Sequence, residues 1–119
     1  MARGIYEVKL KEHYFPALSA TDAVDMRNNI SCEDVVSSEE TEVSLLVKED
    51  DTMQLFLLAK TMYDMEKFNC EEVEAVVAAL ARKMGYFNNA EEIADCVTLW
   101  VERVAEDMTL HELEEWMLG

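Results

Sequence analysis

The chain has 119 residues, ten of them Lys or Arg against 26 Asp or Glu, which leaves a net charge of −16. Half of the residues are hydrophobic, including two Trp, four Tyr and four Phe, and this excludes a disordered acidic tail, which lacks the apolar surface to offset ordering. One Pro and three Gly argue against a fibrous or turn-dense all-β chain, and so few clustered cations argue against direct binding to nucleic-acid phosphates.

The length predicts a single domain over residues 1–119, of α+β class and mostly helical. A strand–helix–strand segment over 1–48 is followed by an acidic helical segment over 49–119. Charge divides the chain sharply: residues 1–30 are neutral, and the whole of the −16 lies beyond them.

In the first segment Tyr6, Val8 and Leu10 alternate with Ile5, Glu7, Lys9 and Lys11. Period two with aromatic and β-branched residues predicts a half-buried strand over residues 4–12, ended by Pro16. Ser19 or Thr21 would cap a short helix running to Asn29, and a polar stretch follows over residues 31–40. Val43, Leu45 and Val47 alternate with Glu42, Ser44 and Lys48, which predicts a second strand. The expected sheet is therefore a two-stranded one packed on a helical bundle.

Four helix starts follow. Asp51-Thr52-Met53-Gln54 resembles a capping box opening a helix to Phe68. Asn69 stands three residues before Glu72, Asn89 before Glu92 and Thr109 before Glu112, the spacing at which cap and acid exchange bonds with the backbone. Gly85 reads as a helix stop. The first of these helices is apolar around most of its circumference, as befits one packed on several sides. The second presents Val73, Val76, Val77, Leu80 and Met84; the third presents Ile93, Val97, Trp100 and Val104; the last, short one presents Leu110, Leu113 and Met117.

Few residues suggest catalysis. The three glycines are isolated, which excludes a phosphate-binding loop, and no CxxC, HExxH or calcium-loop spacing occurs. Cys32, Cys70 and Cys96 are odd in number and far apart, which points to reduced thiols and a cytoplasmic location. His111 and Glu115, spaced i, i+4, are too few to define a metal site. The expectation is a non-enzymatic protein without cofactor or metal. No apolar run suggests a signal or a membrane span.

The acids are more informative. Glu71, Glu72 and Glu74 open a helix that Arg82 and Lys83 close, as the macrodipole asks. The helix after Asn89 is different. At 100° per residue Glu91, Asp95, Glu102 and Glu106 fall within about 60° of one another, opposite the apolar face, with Thr98 in the gap. Glu106 and Asp107 sit where a cation would suit the dipole, relieved only in part by Arg103, and Glu112, Glu114 and Glu115 add charge to the last helix. Fixed carboxylates of this kind, with Trp116 as an apolar anchor nearby, can stand in for a row of phosphates. They would occupy the basic groove of a nucleic-acid-binding protein. In size, charge and mixed α+β build the chain is similar to small acidic phage proteins that block restriction or CRISPR enzymes, a likeness of composition that no motif carries. The other reading is an adaptor that docks through a Trp/Leu/Met patch, its charge serving solubility. The expected partner is a basic protein, neither nucleic acid nor a membrane, and a homodimer is the further association considered.

Overall fold

The computed structural model describes residues 2–8, 13–17 and 43–119. The short helix expected to end at Asn29, the polar stretch over 31–40, Cys32 and the far half of the first strand lie outside the described residues.

The architecture is α+β and mostly helical. Among the described residues three strands, not two, form an antiparallel sheet: β1 (Gly4–Val8), β2 (His13–Ala17) and β3 (Val43–Val47), in the order β2-β1-β3. The additional strand is β2, and it contains Pro16, the residue expected to end the first strand. Pro16 lies inside β2 opposite Ile5, and β2 is an edge strand, where a missing N–H removes no ladder bond if it points outward.

Ile5, on the side the alternation assigns to charged residues, is fully buried, whereas Tyr6 is only half-buried. Pairing explains why. Ile5 faces Pro16 on one flank and Val47 on the other, so the three share a buried face. Between Ile5 and Tyr6 the β3 register slips by one residue, because Tyr6 pairs with Leu45 and Leu46 is left over. Such a bulge flips the strand. Val47 therefore turns inward, while Leu45, two residues away, stays 50% exposed.

The described residues contain four helices: α1 (Glu49–Asp64), α2 (Cys70–Lys83), α3 (Ala90–Val104) and α4 (Leu110–Leu118). α1 packs against α2, α3, α4 and β1, the central position its all-round apolar character requires. It begins earlier than the capping-box spacing suggested, with Lys48 at the N-cap and no side-chain cap. Instead, the fully buried Thr52 hydroxyl lies 2.8 Å from the Lys48 carbonyl oxygen and 3.3 Å from that of Val47. Tyr86 completes the N-terminus of α1 from a distance. Its hydroxyl accepts from the Lys48 N–H at 3.2 Å and donates to Asp51 Oδ2 at 2.7 Å. Burial, reinforced by that carboxylate, pushes the Tyr86 phenol above its ordinary pKa.

The capping boxes at Asn69 and Thr109 form with both reciprocal bonds. α2 ends at Gly85 with φ of +108°, a left-handed conformation that glycine adopts without penalty. There Gly85 N–H bonds to the Arg82 carbonyl and Tyr86 N–H to that of Ala81, the paired 5→2 and 6→1 bonds of a Schellman motif. The third expected box is absent. Asn89 has φ −124° and ψ 14°, outside the extended region a capping side chain needs, and its Nδ2 donates to the Tyr14 hydroxyl at 3.2 Å.

The core gathers Leu55, Phe56, Val73, Val77, Ile93, Val97, Leu113 and Met117, all fully buried. On α2 the inward face is rotated from the expected one. Ala78 and Ala81 are buried, and Val76 is 41% exposed. On α4, Leu110 is likewise 41% exposed.

Candidate functional site

The acidic residues singled out from the sequence come to different places. On α3 the outward residues are Glu91, Glu92, Asp95, Leu99, Glu102, Arg103 and, just past the helix, Glu106. Leu99, not Thr98, fills the gap in the row. α2 packs along the other side of α3 and buries Thr98 to 1% exposure. The Thr98 hydroxyl lies 3.1 Å from the Asp95 carbonyl oxygen and 3.3 Å from Glu74 Oε1.

Several of these carboxylates are already engaged. Glu91 is 3.6 Å from an Arg82 guanidinium nitrogen, and Glu102 accepts from the Tyr63 hydroxyl at 2.9 Å. Glu112 closes the Thr109 capping box, and Glu115 lies 3.2 Å from His111 Nε2. Asp95, Glu106, Asp107 and Glu114 are exposed and have no side-chain partner among the described residues; in particular, no ion pair joins Arg103 to Glu106 or Asp107. Trp116 is half-buried rather than free. The Arg3 guanidinium stacks 3.9 Å from its ring centroid, and Phe56 stands 6.2 Å away on the core side.

Tertiary packing adds residues that the sequence did not single out. Between α1 and the end of α3 lies an open cleft of about 540 Å³, lined by Lys60, Tyr63, Asp64, Glu66, Val101, Glu102 and Glu106. Four of these seven residues are carboxylates. Lys60, at the base, is 4% exposed; its Nζ pairs with Asp64 Oδ1 at 2.9 Å and reaches the Glu106 carbonyl oxygen at 3.5 Å. Glu66 stands beyond the end of α1 with φ of +54°, closing that helix in a left-handed turn. Asp64 and Glu66 are ordinary end-of-helix residues in the sequence, and only the packing of α1 on α3 brings them beside Glu102 and Glu106.

No protein family, curated protein or solved structure matches the chain.

Beside the cleft, Tyr63, Cys70, Glu74 and Glu102 form a small cluster. The Tyr63 oxygen is 3.6 Å from Cys70 Sγ, and that sulfur is 3.7 Å from Glu74 Oε1. Burial, with the bonds to Cys70 and Glu102, raises the Tyr63 phenol far above its ordinary pKa. For Cys70 the hydrogen bond from Tyr63 favours the thiolate, yet burial and the carboxylates of Glu102 and Glu74 outweigh it and hold the thiol above its ordinary value. Cys70 opens α2, a position that would otherwise lower its pKa. Cys96 is buried, and burial first, then Asp95, pushes its thiol far upward. Both cysteines are free thiols whose surroundings oppose nucleophilic activation. Among the described residues no group of three or more His, Cys, Asp or Glu side chains could hold a metal ion. Nor is any described helix long and apolar enough to cross a membrane.

Proposed function

We propose that the chain is a non-enzymatic binding protein whose anionic surface occupies a basic, nucleic-acid-binding groove on a partner protein and keeps nucleic acid out of it. One observation carries this reading. In the cleft between α1 and α3, Asp64, Glu66, Glu102 and Glu106 meet a single cation, Lys60, which Asp64 and a backbone carbonyl already hold. A cleft lined by one sign of charge focuses the field outward, and a partner's Arg or Lys side chains are the complementary occupant. Asp95, Asp107 and Glu114 supply further charge that no side chain among the described residues engages, and the net −16 would steer a cationic partner in.

Displacement tests it. The chain is titrated into complexes of labelled DNA with purified cationic DNA-binding proteins, and the DNA released is followed by fluorescence anisotropy. Release should weaken steeply as salt rises. It should vanish when Asp95→Asn, Glu106→Gln, Asp107→Asn and Glu114→Gln are combined, with thermal stability unchanged or raised. Displacement that survives both about 0.5 M salt and these four changes would overturn the reading.

A second reading, an adaptor docking through α4, draws on Leu110 and Leu118, which are 41% and 53% exposed. The expected anchor Trp116 is covered by Arg3 and supports it less. Its signature is the opposite one: Leu118→Ala would abolish partner binding, and salt would not.

A further inference from the structure

α2 carries on its solvent side an exposed strip of which the monomer engages Glu72 alone among the described residues, its Oε1 closing the Asn69 capping box. Val73, Val77 and Ala81 point to the core and are fully buried. At 100° per residue, Glu72, Val76, Ala79 and Lys83 fall within about 60° of one another on the far side, and all four are exposed. Ala75 is exposed on one flank of this strip, and Leu80 is half-buried on the other. Helix propensity accounts for alanine in such a place, but not for Val76, whose branched side chain loses rotamer freedom in a helix. The macrodipole accounts for Glu72 in the first turn and Lys83 in the last, but not for the apolar stretch between them. The strip is acidic at one end, apolar in the middle and basic at the other. Turned end for end, it is complementary to itself.

We propose that this face of α2 pairs with the same face of a second copy of the chain, antiparallel across a two-fold axis. The register follows from the residues. An axis level with the midpoint between Val77 and Ala78 sets Glu72 opposite Lys83, Val76 opposite Ala79 and Ala75 opposite Leu80. Each of these contacts then occurs twice, as an isologous interface demands. The small side chains let the helices approach to the ~8 Å end of the interaxial range. α1 and α4 have no basic residue in the last turn, and on α3 the one base there, Arg103, is flanked in the chain by Glu102 and Glu106.

One helix pair buries less than the ~1,200 Å² of a standard interface, so the dimer is weak. Two bodies of charge −16 also repel each other, so the association tightens as salt screens them. That dependence is the reverse of the one expected for the cationic partner. The two readings are therefore independent, and the failure of one leaves the other standing.

Sedimentation of the full chain over ~10 µM to ~1 mM, in about 0.15 M and 0.5 M salt, is the test. A dimer fraction that grows with both concentration and salt is expected. Val76→Glu should remove it, and Lys83→Glu should weaken it by roughly fivefold to tenfold by setting carboxylate against carboxylate. Adding Glu72→Lys to Lys83→Glu should restore it. Far-UV circular dichroism of each variant separates lost pairing from a lost fold, and Val76→Glu leaves the Asn69 capping box untouched. A monomer at ~1 mM in the higher salt overturns the proposal. So does a dimer indifferent to Val76→Glu, or a folded double variant no tighter than Lys83→Glu alone.

Discussion

Lys60 Nζ, carried by α1, reaches to 3.5 Å from the backbone carbonyl oxygen of Glu106, just beyond the C-terminus of α3. A helix C-terminus favours a nearby cation, and the local sequence there sets Arg103 alone against Glu106 and Asp107. A second cation arrives from a different helix, with its apolar stem buried on the way. This is how the fold tolerates two acids at the negative end of a dipole.

Because the Lys60 side chain is 5% exposed, packing should count for more than its charge. Lys60→Met keeps the volume, and Asp64, which is 46% exposed, can turn to water. A cost of about 1 kcal/mol or less is expected. Lys60→Ala empties the site and should cost about 2–3 kcal/mol. Urea unfolding of the two variants checks this; equal costs would contradict it.

The three Asn and Thr residues that precede α2, α3 and α4 should respond differently to the same change. Asn69→Ala and Thr109→Ala each lose a cap bond, at about 1 kcal/mol, and Asn69→Ser should be nearly neutral. Asn89→Ser should instead cost about as much as Asn89→Ala, since its amide serves Tyr14 and a serine has no such reach. A double-mutant cycle with Tyr14→Phe should recover a coupling of about 0.5–1.5 kcal/mol at Asn89, and none at Asn69.

Arg3 fastens the first residues to the last helix. Its N–H bonds to the Met117 carbonyl at 2.6 Å, its Nε to the Trp116 carbonyl at 3.0 Å, and its guanidinium covers the Trp116 ring. Arg3→Ala should cost about 1–2 kcal/mol and shift Trp116 fluorescence, read in a Trp100→Phe background. Arg3→Lys should recover only a minor part of this, since an ammonium neither stacks flat on the ring nor offers the Nε–H. Full recovery by lysine would show that charge alone matters.

Stability should fall on the alkaline side. The Cys96 thiol and the Tyr63 and Tyr86 phenols all hold their protons more tightly in the fold, with burial the leading cause for each. A pKa raised by folding leaves stability intact below the unfolded value and removes it as pH climbs past that value. The urea midpoint should therefore hold to about pH 8, decline from about pH 8.5 as the unfolded thiol ionises, and fall further from about pH 10 with the tyrosines. Cys96→Ala should remove most of the first part of that decline, the remainder belonging to Cys70, whose thiol the fold also holds above its ordinary value. At Cys70 the expected change is kinetic. Glu102→Gln takes away a carboxylate whose charge opposes the thiolate. Iodoacetamide labelling of the Cys70 peptide near pH 8 should accelerate by roughly two- to fivefold, read by mass spectrometry.

What the sequence determined by itself is local. The capping boxes at Asn69 and Thr109 and the stop at Gly85 involve backbone groups within six residues, so the side chains present decide the outcome. The inward face of α3, through Ile93, Val97 and Trp100, was legible for a related reason: large apolar residues at helical spacing leave one way to turn. The helical, α+β class followed from these. Tertiary structure decided what local geometry leaves open. Pro16 could be an end or an edge residue, and only the pairing with β1 made it the latter. The bulge at Leu46 set which way Val47 and Leu45 point, and α2 turned Ala78 and Ala81 inward rather than Val76 because α3 and α1 lie on that side. Tyr86 at the start of α1, Lys60 at the end of α3 and Arg3 over Trp116 join residues 35 to 113 positions apart. The candidate site divides in the same way. The surplus of acid on α3 and α4 was visible as composition and spacing, but the cleft was not. Asp64 and Glu66 become its walls only because α1 packs against α3, and a contact between distant segments depends on the whole core rather than on either segment alone.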